Sequence, residues 1–79
     1  MSVGELIVAW RQRAGMSQWR LAREAGIDRS YMSRIESGQR RPSYPVLVQI
    51  ARALSLDEAE FDELLQAAGY PSYSRKRGG

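Results

Sequence analysis

The feature that most constrains this chain is a turn with almost no length. Gln18 to Ala25 reads as one short helix and Arg29 to about Ser37 as the next, with only Gly26, Ile27 and Asp28 between them. Helices joined this tightly lack the chain to fold back antiparallel, so they must cross steeply. Gly26 suits the position that ends a helix, and Asp28 is a favoured N-cap for the helix that follows.

Similar punctuation marks the rest of the chain. Ser2 and Glu5 have capping-box spacing and open a first helix that runs to about Ala14 and stops at Gly15. Ser17 caps the second helix, and Gly38 closes the third. Gln39 to Pro42 reads as a loop. Ser43 opens a fourth helix that tolerates Pro45 in its first turn, with Leu47, Ile50, Ala51 and Leu54 on one face. Asp57 and Glu60 form a second capping box ahead of a fifth helix. There Phe61, Leu64, Leu65 and Ala68 recur with helical period before Gly69. No segment alternates as a strand would. The pattern predicts an all-α, compact five-helix domain over residues 1–69, followed by a flexible basic tail over 70–79.

Composition narrows the function. A chain of 79 residues makes one domain, and at that size only about 60% of the unfolded surface is buried, so a partner subunit would add much to its stability. There is no cysteine and no histidine, which removes disulfides, thiol nucleophiles, and the commonest zinc ligand and general base. No cluster of titratable groups suggests a catalytic cleft, so neither an enzyme nor a cofactor nor a metal is expected, and no small-molecule ligand either. No apolar run approaches the roughly 20 residues of a membrane span, and no signal-peptide pattern is present, so the expected location is cytoplasmic.

The net charge of +3 conceals a division. Residues 1–41 hold eight arginines against Glu5, Glu24, Asp28 and Glu36, a net +4; residues 42–74 hold Arg52 against Asp57, Glu58, Glu60, Asp62 and Glu63, a net −4. Arg75, Lys76 and Arg77 then make the tail basic. Such asymmetry suggests one face for a polyanion and another turned away from it.

Three stretches carry a family resemblance. They are Gln18-Trp19-Arg20-Leu21-Ala22-Arg23-Glu24-Ala25-Gly26-Ile27, Ser30-Tyr31-Met32-Ser33-Arg34-Ile35-Glu36-Ser37-Gly38 and Arg41-Pro42-Ser43. Together, at these spacings, they resemble the Cro/C1-type (XRE) helix-turn-helix family, to which phage repressors and many small bacterial regulators belong. The resemblance runs from about residue 3 to 68 and implies a lambda-repressor-like fold with the helix-turn-helix at helices two and three. It implies a sequence-specific regulator of transcription, a repressor that binds a palindromic operator in double-stranded DNA as a homodimer, in the nucleoid of a prokaryote or phage-infected cell.

Carried over position by position, the resemblance assigns Arg29, Ser30, Ser33 and Arg34 to base reading in the major groove. That groove is about 12 Å wide and admits one helix, and an arginine forked onto guanine is its commonest specific contact. Gln18, Tyr31, Arg40 and Arg41 would contact the sugar-phosphate backbone, and Arg11 would pair with Glu36 to hold the reading helix at its angle. Met32 and Ile35 form the inward stripe of that helix, with Leu21, Ala22 and Ile27 also in the core. Arg13, Arg20, Arg23 and Arg52 read as plain surface charge. The fifth helix and Tyr70 to Tyr73, apolar and distant from the reading head, are the dimer candidates.

The tryptophans leave two readings open. Ile7, Arg11 and Ala14 supply the inward face of the first helix, so Leu6 and Trp10 form a second apolar stripe, and Trp19 stands where the family usually has a polar residue. They either widen the core or form an exposed patch. The exposed patch would fit an alternative function, an antitoxin or adaptor in which the same fold grips another protein.

Overall fold

Ser2, Ser17, Ser43 and Asp57 each accept a backbone N–H in the first turn of the helix they precede, satisfying a donor that helix geometry orphans. The computed structural model describes residues 1–71 and contains five helices among them: α1 (Val3–Arg13), α2 (Gln18–Ala25), α3 (Arg29–Glu36), α4 (Tyr44–Ala53) and α5 (Glu58–Ala67). Both expected capping boxes close. Glu5 Nα donates to Ser2 Oγ at 3.2 Å while Glu5 Oε1 accepts from Ser2 N at 2.9 Å, and the backbone bond from Ser2 holds the Glu5 carboxyl below its ordinary pKa. Asp57 and Glu60 repeat the exchange at 2.8 and 3.1 Å. Ser72 and Tyr73, expected at a dimer contact, and the basic residues expected beyond them lie outside the described residues.

Gly26 closes α2 in the left-handed region, with φ of 72°. Three residues later α3 begins, and α2 and α3 pack against each other across this short turn. The remaining helices supply the platform: α4 packs on α2 and on α5, while α1 packs on α3 and on α5. Every helix sends residues to a common core, with Ile7, Leu21, Met32, Ile35, Leu47, Ile50, Leu64 and Leu65 all fully buried. A single apolar centre shared by five short helices explains why none needs to be stable alone.

One open alternative is decided and two local expectations need correction. Leu6 and Trp10 are 4% and 8% exposed, so the second stripe of α1 belongs to the core and forms no surface patch. Ala14 is not part of the inward face; it is the exposed C-cap residue of α1. Asp28 has the extended backbone of an N-cap, but its side chain makes no capping bond and instead accepts from the Ser30 hydroxyl.

Candidate nucleic-acid interface

The inward stripe of α3 fixes its outward face. Met32 and Ile35 are fully buried, and Arg29, Ser30, Ser33 and Arg34 are consequently exposed together on the opposite side. Neither Arg29 nor Arg34 enters an ion pair among the described residues. Their charges are unneutralised on a convex helix face, the arrangement a groove of acceptors and phosphates can use. The Ser30 hydroxyl is committed to Asp28, which leaves Ser33 as the freer hydroxyl of the pair. Tyr31 sits half-buried at the edge of this face.

α3 is held by a polar network. Arg11 Nε donates to Glu36 Oε2 at 2.9 Å and Nη2 to Oε1 at 3.1 Å, a two-pronged pair. The same arginine donates from Nη1 to the Met16 carbonyl at 3.0 Å. Gln18 Nε2 donates to Glu36 Oε1 at 3.1 Å, so its side chain turns inward to the end of α3. The network therefore ties α1, the turn before α2, the start of α2 and the last residue of α3 into one unit. Sequence reasoning found the ion pair and missed the amide, because a Gln opening a helix carries no sign of a partner 18 residues away.

The loop after α3 folds back on that helix. Gln39 N and Arg40 N donate to the Arg34 carbonyl at 2.8 and 3.2 Å. Arg40 is exposed and without an ion pair among the described residues. Arg41 behaves differently: its Nε donates to the Ala68 carbonyl at 2.8 Å and its guanidinium lies over the Tyr70 ring at 4.1 Å. Arg13 and Arg20 are engaged with Glu60 and Glu24, at 2.9 and 2.8 Å. Arg23 stacks on Trp19 at 4.3 Å, and Trp19 is 52% exposed.

One close approach escaped the sequence reading. A Cβ on Gly4 would stand 2.7 Å from the Ile35 carbonyl oxygen and 2.9 Å from the Glu36 carbonyl carbon. The first turn of α1 thus lies directly on the backbone of the end of α3. A glycine inside a helical turn costs about 1 kcal/mol relative to alanine, and that cost was the available signal.

Two packed helices joined by three residues, the second with a cationic face unpaired among the described residues and its own polar brace, define a helix-turn-helix. The matching family model, described as a helix-turn-helix domain, covers residues 2–64. The chain belongs to this family and is of its Cro/C1 (XRE) type, a class of DNA-binding transcriptional regulators.

The chain is similar in fold and sequence to the restriction-modification controller protein C.AhdI from Aeromonas hydrophila. The TM-score is 0.70 at 36% identity, over 75% of this chain and 89% of that one. It is 43% identical over 51 residues to an uncharacterised HTH-type transcriptional regulator of Mycobacterium tuberculosis, matching 65% of this chain and 36% of the relative. It is 38% identical over 66 residues to the HTH-type transcriptional regulator SlrR of Bacillus subtilis, matching 82% of this chain and 41% of the relative. The chain thus spans well under half the length of these curated relatives. No helix among the described residues is long and apolar enough to cross a membrane, and no group of acidic side chains there could hold a metal ion.

Proposed function

We propose that this chain is the operator-reading domain of a transcriptional repressor, acting as a homodimer on a palindromic site in double-stranded DNA. The carrying observation is the exposed face of α3, where Arg29 and Arg34 have no ion pair among the described residues while Arg11 and Glu36 brace the helix from behind. In this reading Arg29, Ser30, Ser33 and Arg34 meet base edges, and Gln18, Tyr31, Arg40 and Arg41 meet the backbone. Each arginine forked onto a guanine would discriminate by about 1–3 kcal/mol, so each half-site contains at least one G·C pair. Gln18 would serve through its first-turn backbone N–H, since its side-chain amide is occupied by Glu36.

One reading helix covers only a few base pairs, so two related by a two-fold axis reach half-sites about 10 bp apart. Of the segment expected at the dimer contact, α5 and residues 71–73 are assigned to it, on the side that carries the acidic residues, while Tyr70 is turned to Arg41 and Pro42. Occupancy of the operator would exclude polymerase, without catalysis or a small-molecule ligand. Selection of bound duplexes from a random pool, with the stoichiometry of the complex measured, tests this reading. A palindromic consensus bound by two chains is the expected result; binding without any preferred sequence would sink it.

A second reading, an adaptor that grips another protein, is favoured by one feature, the exposed indole of Trp19 under Arg23. Burial of Leu6 and Trp10 removes the rest of the patch that motivated it.

A further inference from the structure

Arg41 is a cation held in place without an ion pair among the described residues. Arg11, Arg13 and Arg20 each meet a carboxylate, whereas the partners of Arg41 are the Ala68 carbonyl and the face of the Tyr70 ring. The guanidinium also lies along Gly69, where a Cβ would stand 3.6 Å from Nη2 and 4.0 Å from Nε. Tyr70 is itself pinned: its hydroxyl donates to the Pro42 carbonyl at 3.0 Å, and its ring meets Tyr44 edge-on with centroids 5.9 Å apart. One tyrosine therefore grips both Arg41 and the residue that follows it.

The other end of the same loop is fixed to the reading helix, because Gln39 and Arg40 donate their N–H groups to the Arg34 carbonyl. The loop is thus tied at its start to a residue of the exposed α3 face and at its finish to the end of α5. Tyr70 lies beyond residue 64, where the family match ends.

We propose that Tyr70 is a positioning residue for DNA binding, seating Arg41 so that the guanidinium edge turned away from Ala68 meets a backbone phosphate. This rests on the DNA-reading function above. A guanidinium has five donors in one plane, and the bond from Nε uses only one of them. Stacking on the ring fixes that plane before DNA arrives, so less side-chain freedom is lost on binding. Neither partner among the described residues is an acid, so the charge there stays whole. A carbonyl cap alone needs neither the plane nor the charge; a phosphate gains from the charge and, where two of its oxygens are met together, from the plane.

The test is duplex affinity against salt concentration, on a selected operator and on an unrelated duplex, for the full chain and four variants, with a thermal melt of each. Arg41→Ala is expected to lower the slope of log affinity against log salt by about 0.9 on both duplexes. Tyr70→Leu keeps the charge and removes its seat; it should weaken both duplexes about two- to five-fold, the range of an exposed cation–π pair, with the slope retained. Arg41→Lys should behave as Tyr70→Leu does, and serves if the leucine variant fails to fold. Tyr70→Phe keeps the ring, and its affinity should stay close to that of the parent while the lost bond to Pro42 lowers the melting temperature.

An unchanged salt slope in Arg41→Ala would reduce Arg41 to a structural clamp and overturn the proposal, while parental binding by the unchanged chain would leave the broader function standing. Parental affinity in Arg41→Lys, or in a folded Tyr70→Leu, would overturn it equally. A parent chain without salt-dependent duplex binding would overturn both.

Discussion

Arg11 and Glu36 form a two-pronged ion pair across 25 residues of chain, with Nε–Oε2 at 2.9 Å and Nη2–Oε1 at 3.1 Å, and their side chains are only 14% and 6% exposed. Gln18 also donates to Glu36, and Arg11 to the Met16 carbonyl, so α1 and α2, the two helices that chiefly pack on α3, are both tied to its last carboxylate. A pair this withdrawn from water is weak evidence of net stabilisation, yet removing one partner strands the other. Glu36→Ala leaves the Arg11 guanidinium without its counter-charge and Gln18 without its acceptor. The expected loss is about 3–5 kcal/mol, which for a domain of this size is a fall in melting temperature of more than about 10 °C. Thermal and urea melts read it directly, and a shift of less than about 3 °C would mean that the pair is open to solvent in solution.

Gly4 should tolerate no side chain. Alanine at this position gains helix propensity of about 1 kcal/mol, but its Cβ would overlap backbone atoms of Ile35 and Glu36, which cannot swing aside as a side chain can. Overpacking of this kind costs about 1–3 kcal/mol or more, so Gly4→Ala is expected to destabilise despite the favourable propensity. Because the displaced backbone is the end of α3, operator affinity should fall as well, measured well below the melting transition. A variant as stable as the parent would show that α1 does not approach α3 this closely.

Ser55 is the complementary case. It ends α4 with φ of 55°, the one described non-glycine residue in the left-handed region, while its N–H bonds to the Arg52 carbonyl. Glycine adopts this conformation without the Cβ penalty. Ser55→Gly is expected to stabilise the domain by about 0.5–1 kcal/mol, raising the midpoint of a denaturant melt. A lowered midpoint would contradict it.

The helices were legible because their start and stop signals are local. Ser2 with Glu5, Asp57 with Glu60, and the glycines at 15, 26, 38 and 69 act within a few residues of where they stand. The Arg11–Glu36 pair was legible only through resemblance, since nothing local joins residues 25 apart. Arg41 could not have been placed from sequence at all: its acceptor is a main-chain carbonyl 27 residues away, and any residue can supply one. Leu6 and Trp10 were ambiguous for a different reason. Helical periodicity gives a face, but the width of the buried arc depends on what packs beside it, here including α5.

The two tryptophans can be told apart in solution. Trp10 is buried and Trp19 is half exposed beneath Arg23. In Trp10→Phe the remaining indole should be readily quenched by iodide, with the nearby cation favouring the anion's approach. In Trp19→Phe the remaining indole should be shielded and blue-shifted. Truncation should separate them too: Trp10→Ala is expected to cost about 3–5 kcal/mol, and Trp19→Ala within about 0.5 kcal/mol. Equal quenching of the two single-tryptophan variants would contradict this assignment.

Arg34 offers the sharpest test of how the reading face works, because it both presents a side chain and supplies the carbonyl that receives Gln39 and Arg40. Substitution of the side chain leaves that carbonyl in place, so Arg34→Ala alters recognition without dismantling the loop. The expected outcome is loss of preference at one base position per half-site, about 1–3 kcal/mol there, with the remaining consensus retained after selection from a random pool. Arg40→Ala, by contrast, should weaken every sequence alike and lower the salt slope by about 0.9. If Arg34→Ala behaved as Arg40→Ala does, with uniform weakening and an unaltered consensus, Arg34 would be a phosphate contact and base reading would fall to Arg29, Ser30 and Ser33.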